Sequence, residues 1–221
     1  MPDSQISDSE LIEQADLLID SARYRDAAQL LRPRAEGSAV VALKLAQFVG
    51  YTDCREVTQD EAASLLRVWA MQNNPRACYQ LAFMLDGPEA EEKNQRVTTP
   101  EGREWLEKAA QLGDIQAMDT LGVLNAWGDW IGGTDASQTR YWYGETIAHG
   151  EDFRKYDLGM MLLDGEGGPV DTRRGLELLT DVAHHDSCAS RALADIYQNG
   201  RFSIPADKKE AARWRAISEN S

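Results

Sequence analysis

The residue types that could bind a metal ion come together at one place, where His184-His185-Asp186 is followed by Cys188. Imidazole, carboxylate and thiolate groups are the protein ligands of zinc. Successive residues on an α-helix point about 100° apart, so two adjacent histidines cannot both face one ion. At a helix end, a histidine interacts with the last carbonyl groups instead. The sequence therefore predicts no metal site, and His149, just before Gly150, is expected to end a helix in the same way.

Motifs for covalent or phosphate chemistry do not occur in the sequence: there is no G-x-S-x-G, H-E-x-x-H or P-loop pattern. The glycines between Asp164 and Pro169 lack the Lys-Ser/Thr of a phosphate loop, and their acidic neighbours would repel phosphate. We interpret them as turn residues. With 37 acidic residues in the chain, any chosen pair of carboxylates means little. We expect a non-enzymatic protein without cofactors; the rival class, an enzyme, would need titratable groups that converge in a cleft.

The net charge of −14 is concentrated in the middle of the chain. Residues 114–186 hold 14 acidic and 5 basic side chains, a net charge of −9, whereas residues 187–221 have a net charge of +2. An acidic surface repels nucleic-acid phosphates, so we expect no nucleic-acid partner. It attracts basic proteins, although solubility alone also explains many acidic surfaces.

Three cysteines, Cys54, Cys78 and Cys188, are odd in number and lie far apart, which is typical of reduced thiols rather than a disulfide framework. The first ten residues are polar and acidic, unlike a secretory signal. No apolar run is long enough to cross a membrane. The sequence predicts a cytoplasmic protein that does not bind membranes.

Two apolar series share one period along the chain. Trp69, Trp105, Trp142 and Trp214 are separated by 36, 37 and 72 residues, and Leu178 stands at the missing position. A second series consists of five leucines: Leu45, Leu81, Leu121, Leu158 and Leu193. A period of about 34–40 residues is typical of a helix-turn-helix repeat in a solenoid. We expect about five such units.

Each unit repeats one pattern, which is clearest at the end of the chain. Ala189, Leu193 and Tyr197 share one helical face before Gly200, and Trp214 lies on the apolar face of a second helix that Asp207 caps. Small residues allow the paired helices to approach closely, and the tryptophan fills the wedge beside them.

The units resemble the Sel-one-like repeat family, a relative of the tetratricopeptide repeats. The stretches at 105–113, 166–171 and 207–214 match its pattern closely, and the resemblance covers about residues 38–221. It implies an all-α, right-handed solenoid of paired antiparallel helices. Residues 1–37 are expected to form an N-terminal capping helical hairpin, which makes twelve helices in one continuous domain, monomeric when free.

Family geometry also implies an interaction surface on the concave side. In this family, a groove is lined by the residues two positions before and two positions after each motif leucine. A residue six positions after the leucine extends it. This rule selects the following partner-binding residues: Tyr79, Phe83, Asp119, Val123, Trp127, Tyr156, Met160, Arg191 and Asp195. Trp130, between glycines, either plugs a repeat junction or contacts a partner. The alternative for all the aromatic residues is packing against the neighbouring helix.

The resemblance implies an adaptor that binds a protein partner, and the acidic middle of the chain indicates a basic one. A narrower alternative is a bacterial immunity protein that inhibits a secreted toxin, since small members of the family include such inhibitors. A third class is a structural piece that assembles end to end through its repeats. The sequence leaves the three alternatives open.

Overall fold

The computed structural model describes residues 6–50, 57–85, 99–128 and 133–220. Trp130, Cys54 and most of the acidic 87–99 insertion lie outside these residues. The chain divides into two compact units, Met1–Ala117 and Met118–Ser221. The described residues of both units are helical, without strands, which confirms the predicted all-α repeat class.

Helices of the first unit follow one another in antiparallel pairs. They are α1 (Asp8–Asp20), α2 (Tyr24–Ala35), α3 (Ala39–Ala46), α4 (Gln59–Met71), α5 (Pro75–Met84) and α6 (Pro100–Gln111). A 3₁₀ turn, Gln47–Gly50, extends α3. The hairpin α1–α2 begins at a capping box that Ser7 and Glu10 form at the start of α1.

The second unit continues the same pattern. Its helices are α7 (Ile115–Trp127), α8 (Ala136–Ala148), α9 (Lys155–Asp164), α10 (Thr172–Val182), α11 (Ser187–Asn199) and α12 (Lys208–Asn220). The unit boundary falls within the first turn of α7. Asp135, Asp171 and Asp186 cap α8, α10 and α11 by accepting hydrogen bonds from backbone N–H groups of the first turn.

The motif leucines form the core of their units, as the repeat predicts. All five are buried: Leu45, Leu81, Leu121, Leu158 and Leu193. Trp214 is buried as well, but Trp69, Trp105 and Trp142 are only half-buried. The indole N–H of Trp69 donates to the carbonyl of Ala35, and that of Trp105 donates to Glu101. An indole that keeps a polar partner stays near the surface while its ring covers the core.

Small residues set the distance between paired helices in the second unit. A Cβ at Gly175 of α10 would lie 2.8 Å from Leu163 Cγ and 2.9 Å from the carbonyl oxygen of Gly159 on α9. These helices can therefore pack closely only with glycine at this position. No helix among the described residues has both the length and the apolar character needed to cross a bilayer.

Candidate functional site

A cavity of about 500 Å³ opens on the second unit. We call it the acidic cavity; its side chains come from α7, α8 and α9 and from the two loops beside them. The residues used below are Asn125, Trp127, Tyr143, Tyr156, Asp157, Met160, Asp164 and Glu166. No lysine or arginine of the described residues lines it. Its volume is in the usual range for ligand-binding pockets.

Three predicted partner-binding residues meet at this cavity. Trp127 is the last residue of α7 and is 75 % exposed, the most exposed of the large apolar side chains described. Tyr156 and Met160 lie one turn apart on α9 and are half-buried against the core of the unit. The spacing rule therefore selects residues that share a cavity, with Trp127 free to contact a partner.

Arg154, just before the first residue of α9, connects this helix to its neighbours. Its guanidinium bonds both carboxylate oxygens of Asp119, at 2.5 and 3.2 Å, and one oxygen of Asp157 at 3.1 Å. It also lies 4.8 Å from the ring centre of Tyr143. A guanidinium shared by two carboxylates and a ring is held in place, so Arg154 fixes the start of α9 to α7 and α8. Asp119 thus serves packing within the unit.

Two carboxylates at the acidic cavity are unpaired. In the part of the chain that the structure describes, neither Asp164 nor Glu166 has an ion-pair partner, and both are exposed. Asp164 is the last residue of α9, where a negative charge is opposed by the negative end of the helix dipole. A basic group bound at the cavity would relieve this repulsion.

The turn that carries Glu166 is held against the start of α8. Gly165 ends α9 in the left-handed region, with φ of 74°. At Gly167, with φ of 71°, a Cβ would overlap the carbonyl oxygen of Ala136. Glycine is therefore required for this close approach. The prediction that these glycines are turn residues is confirmed, and the turn places an acidic side chain at the rim of the cavity.

A second pocket, in the first unit, contains the other predicted aromatic pair. This first-unit pocket has a volume of about 330 Å³ and is lined by Ala46, Gln47, Arg76, Tyr79, Gln80, Phe83 and Met84. The rings of Tyr79 and Phe83 meet edge to face, with centres 5.0 Å apart. Arg76 lies 4.8 Å from the ring centre of Tyr79, is 3.8 Å from Asp114 and bonds Gln116. Arg76, a residue of the chain itself, therefore covers the face of the Tyr79 ring.

The remaining predicted residues do not join these pockets. Val123 packs against the core of the second unit. Arg191 and Asp195 are exposed on α11, where Arg191 donates to the carbonyl of Ser187 and Asp195 pairs with Arg201 at 2.8 Å. Trp130 lies outside the described residues. The partner-binding role of all ten residues stays a prediction.

Sequence reasoning missed two buried polar residues of the acidic cavity. Asn125 and Tyr143 are each only 4 % exposed. Burial raises the pKa of Tyr143, although the guanidinium of Arg154 acts in the opposite direction, so the phenol keeps its proton at neutral pH. A signal for both was present, because each stands where two other repeats have leucine. It becomes meaningful only once the cavity is seen.

The histidines end helices, as expected. His149 follows α8, and its Nδ1 lies 2.9 Å from the carbonyl oxygen of Glu145. His184 and His185 are exposed beyond the end of α10, and the His184 ring lies 6.0 Å from that of Trp214. Among the described residues, no group of three or more His, Cys, Asp or Glu is arranged to hold a metal ion.

The profile of the Sel1 repeat matches three segments of the sequence, at residues 75–114, 155–180 and 189–214. The chain contains Sel1 repeats. The first segment spans α5 and α6, the second α9 and most of α10, and the third most of α11 and the first half of α12. These segments include most of the first-unit pocket and one wall of the acidic cavity.

Solved structures show the same fold. A Sel1 repeat protein from Oxalobacter formigenes is 20 % identical, with a TM-score of 0.66, over 100 % of this chain and 90 % of that one. A protective antigen from uropathogenic Escherichia coli is 22 % identical, with a TM-score of 0.65, over 95 % of this chain and 45 % of that one. Identities this low show the fold alone. No curated protein matches the sequence significantly.

An immunity protein from Pseudomonas aeruginosa is more distantly similar to this Sel1-repeat chain. It is 19 % identical, with a TM-score of 0.48, over 100 % of this chain and 83 % of that one. At that score the likeness indicates nothing about what this chain binds.

Proposed function

We propose that this Sel1-repeat chain is a non-enzymatic scaffold that binds a basic segment of a partner protein at the acidic cavity. Repeats of this kind form protein-interaction surfaces, and the resemblance of the chain to such proteins supports a binding role. The observation that carries the proposal is the acidic cavity itself. It combines an exposed tryptophan with three carboxylates and contains no described basic side chain.

The mode of binding follows from these groups. Aromatic residues such as Trp127 are enriched among the residues that dominate interface energies. Unpaired carboxylates such as Asp164 and Glu166 raise the association rate of a positively charged partner and disfavour acidic ones. The flexible side chain of Met160 adapts to the shape of what it contacts. Together these groups provide an apolar anchor surrounded by negative charge.

Charge reversal at the cavity tests the proposal. The double variant Asp164→Lys/Glu166→Lys changes two exposed side chains, and Lys at position 164 suits the helix dipole, so folding is preserved. The control, Glu13→Lys/Glu104→Lys, makes the same change in net charge at exposed positions of the first unit. Each purified protein is immobilised and used to capture partners from a lysate of the source organism.

The wild type and the control are expected to retain the same basic protein, and the cavity variant is expected to lose it. Equal retention by all three proteins would contradict the proposal, as would capture of acidic proteins only. The partner's own activity then separates the two versions of the function. If the partner is a toxin or enzyme that is inactive in the complex, this chain is its inhibitor. If the partner remains active in the complex, this chain is an adaptor.

A further inference from the structure

Two polar residues of the acidic cavity stand at positions where two other repeats of the chain have leucine. Asn125 comes four residues after the motif leucine of its repeat, where two other repeats have Leu85 and Leu162. Tyr143 follows Trp142 directly, where the corresponding residues are Leu106 and Leu179. The last repeat also has hydrogen-bonding residues at these positions, Tyr197 and Arg215, but only Asn125 and Tyr143 line the acidic cavity.

Neither polar side chain makes all of its possible hydrogen bonds within the described part of the protein. The side-chain N–H of Asn125 donates to the carbonyl of Leu121 at 2.7 Å, but no described residue donates to its Oδ1. The hydroxyl of Tyr143 likewise has no hydrogen-bond partner in the described ranges. Both side chains are 4 % exposed and line the acidic cavity. Because both side chains line the cavity, the acceptors that have no protein partner are accessible there to a ligand or to water.

The ring of Tyr143 occupies space that Gly122 leaves open. A Cβ on Gly122 would lie 2.5 Å from Cε1 of the Tyr143 ring. The corresponding residue of the first unit is Ala82, next to the motif Leu81. Glycine at position 122 leaves room for the Tyr143 ring, and the next repeat also has glycine here, Gly159, which lies against Leu179.

We propose that the acidic cavity binds one arginine side chain of the partner, with the guanidinium donating to Asn125 Oδ1, to the Tyr143 hydroxyl oxygen and to the carboxylates at the rim. This inference rests on the proposed function and narrows its partner. Several separate acceptors suit the five N–H donors of a guanidinium better than a compact ammonium group. Guanidinium is also less strongly hydrated, and it stacks on aromatic rings such as those of Trp127 and Tyr156.

Blocked peptides that differ in one side chain test the inference on the whole chain. Gly-Gly-Arg-Gly-Gly is titrated by calorimetry beside its lysine and citrulline counterparts, the last of which keeps the shape of arginine without the charge. The arginine peptide is expected to bind about ten-fold tighter than either counterpart. Equal affinities for the three peptides would overturn the inference.

Tyr143→Phe removes only the hydroxyl and is expected to weaken arginine-peptide binding about ten-fold, with an unchanged melting temperature. Its control is Tyr141→Phe, on the same helix, whose side chain is 53 % exposed and outside the cavity. Asn125→Leu restores the leucine of the other repeats. It is expected to weaken binding about ten-fold while raising the melting temperature, a combination that a purely structural role would not produce. Wild-type affinity in both variants would refute the inference.

The two proposals fail separately. If the charge-reversed variant loses its basic partner but the arginine peptide binds no better than citrulline, the scaffold function stands and the arginine pocket is wrong. If charge reversal leaves partner capture unchanged, the scaffold function at this cavity is wrong, whatever the peptides show.

Discussion

The first-unit pocket and the acidic cavity are built on the same repeat positions but carry opposite charges. Tyr79 and Tyr156 both stand two residues before a motif leucine, and Phe83 and Met160 both stand two residues after it. In the first unit, Arg76 of the chain itself covers the tyrosine. The acidic cavity has three carboxylates, and although Arg154 pairs with Asp157 and covers Tyr143, no described cation pairs with Asp164 or Glu166. The two units therefore share an apolar pattern and differ in the charged residues between its positions, and our proposal for binding rests on that difference.

The comparison predicts a large difference between the two aromatic sites in partner binding. Trp127→Ala is expected to weaken partner affinity roughly 30-fold, about 2 kcal/mol, because an exposed tryptophan beside a cavity is a typical interface anchor. Phe83→Ala in the first-unit pocket is expected to leave the affinity unchanged. Surface plasmon resonance with the captured partner measures both. A larger effect of Phe83→Ala would reverse our assignment of the binding unit.

Substitution of Gly122 tests whether glycine is needed at this position to make room for the Tyr143 ring. Gly122→Ala places a methyl group against the Tyr143 ring and is expected to cost about 2 kcal/mol of unfolding free energy, within the usual range for overpacking. The double variant Gly122→Ala/Tyr143→Leu reproduces Ala82 and Leu106 of the first unit and is expected to recover most of that loss. Urea unfolding compares the three proteins. A single variant as stable as wild type would show that the ring has room to move.

Substitution of Arg76 tests whether this arginine stabilises the first unit through its ion pair with Asp114. Arg76→Met leaves the nearly buried Asp114 without its guanidinium and is expected to cost about 1 kcal/mol at pH 7. Burial raises the pKa of Asp114 above its ordinary 3.8, against hydrogen bonds from the backbone and the charge of Arg76. The folded state therefore binds this proton more tightly, and its stability falls as the pH rises from 3.8 through the folded-state pKa.

Removing Arg76 raises the pKa of Asp114 further and widens that interval. The stability deficit of the variant should thus be present at pH 7 and vanish below pH 3.8, where the carboxyl is protonated in both states. Arg103→Met, which breaks an exposed pair with Glu107, is the control and should cost a few tenths of a kcal/mol. A deficit independent of pH would mean that Arg76 acts through packing on Tyr79 alone.

Repeat periodicity predicted about five helix pairs, because each motif leucine or tryptophan marks one pair, and the family resemblance supplied the all-α class. The same spacing selected Trp127, Tyr156 and Met160, which share a cavity. It did not distinguish them from Val123 and Asp119, which stand at equivalent positions but face the core or an ion pair.

The polar residues of the cavity could not be predicted from spacing. Asn125 and Tyr143 break the apolar pattern, and a single sequence does not show whether such a break is a tolerated exception or a site. Gly122 leaves room for a ring from another helix, and Gly167 allows its turn to approach Ala136; the spacing of the sequence shows neither contact. The sequence likewise does not show that a charged turn residue such as Glu166 lies at the rim of a cavity.

The most direct test of the central claim, that the second unit rather than the first binds a guanidinium, is an NMR titration of the isotope-labelled chain with the blocked arginine peptide. The account predicts saturable shifts of the Asn125 side-chain amide and the Trp127 indole N–H, with the signals around Tyr79 unchanged. Shifts that centre on Tyr79 and Phe83, or that spread evenly over the surface carboxylates, would contradict it.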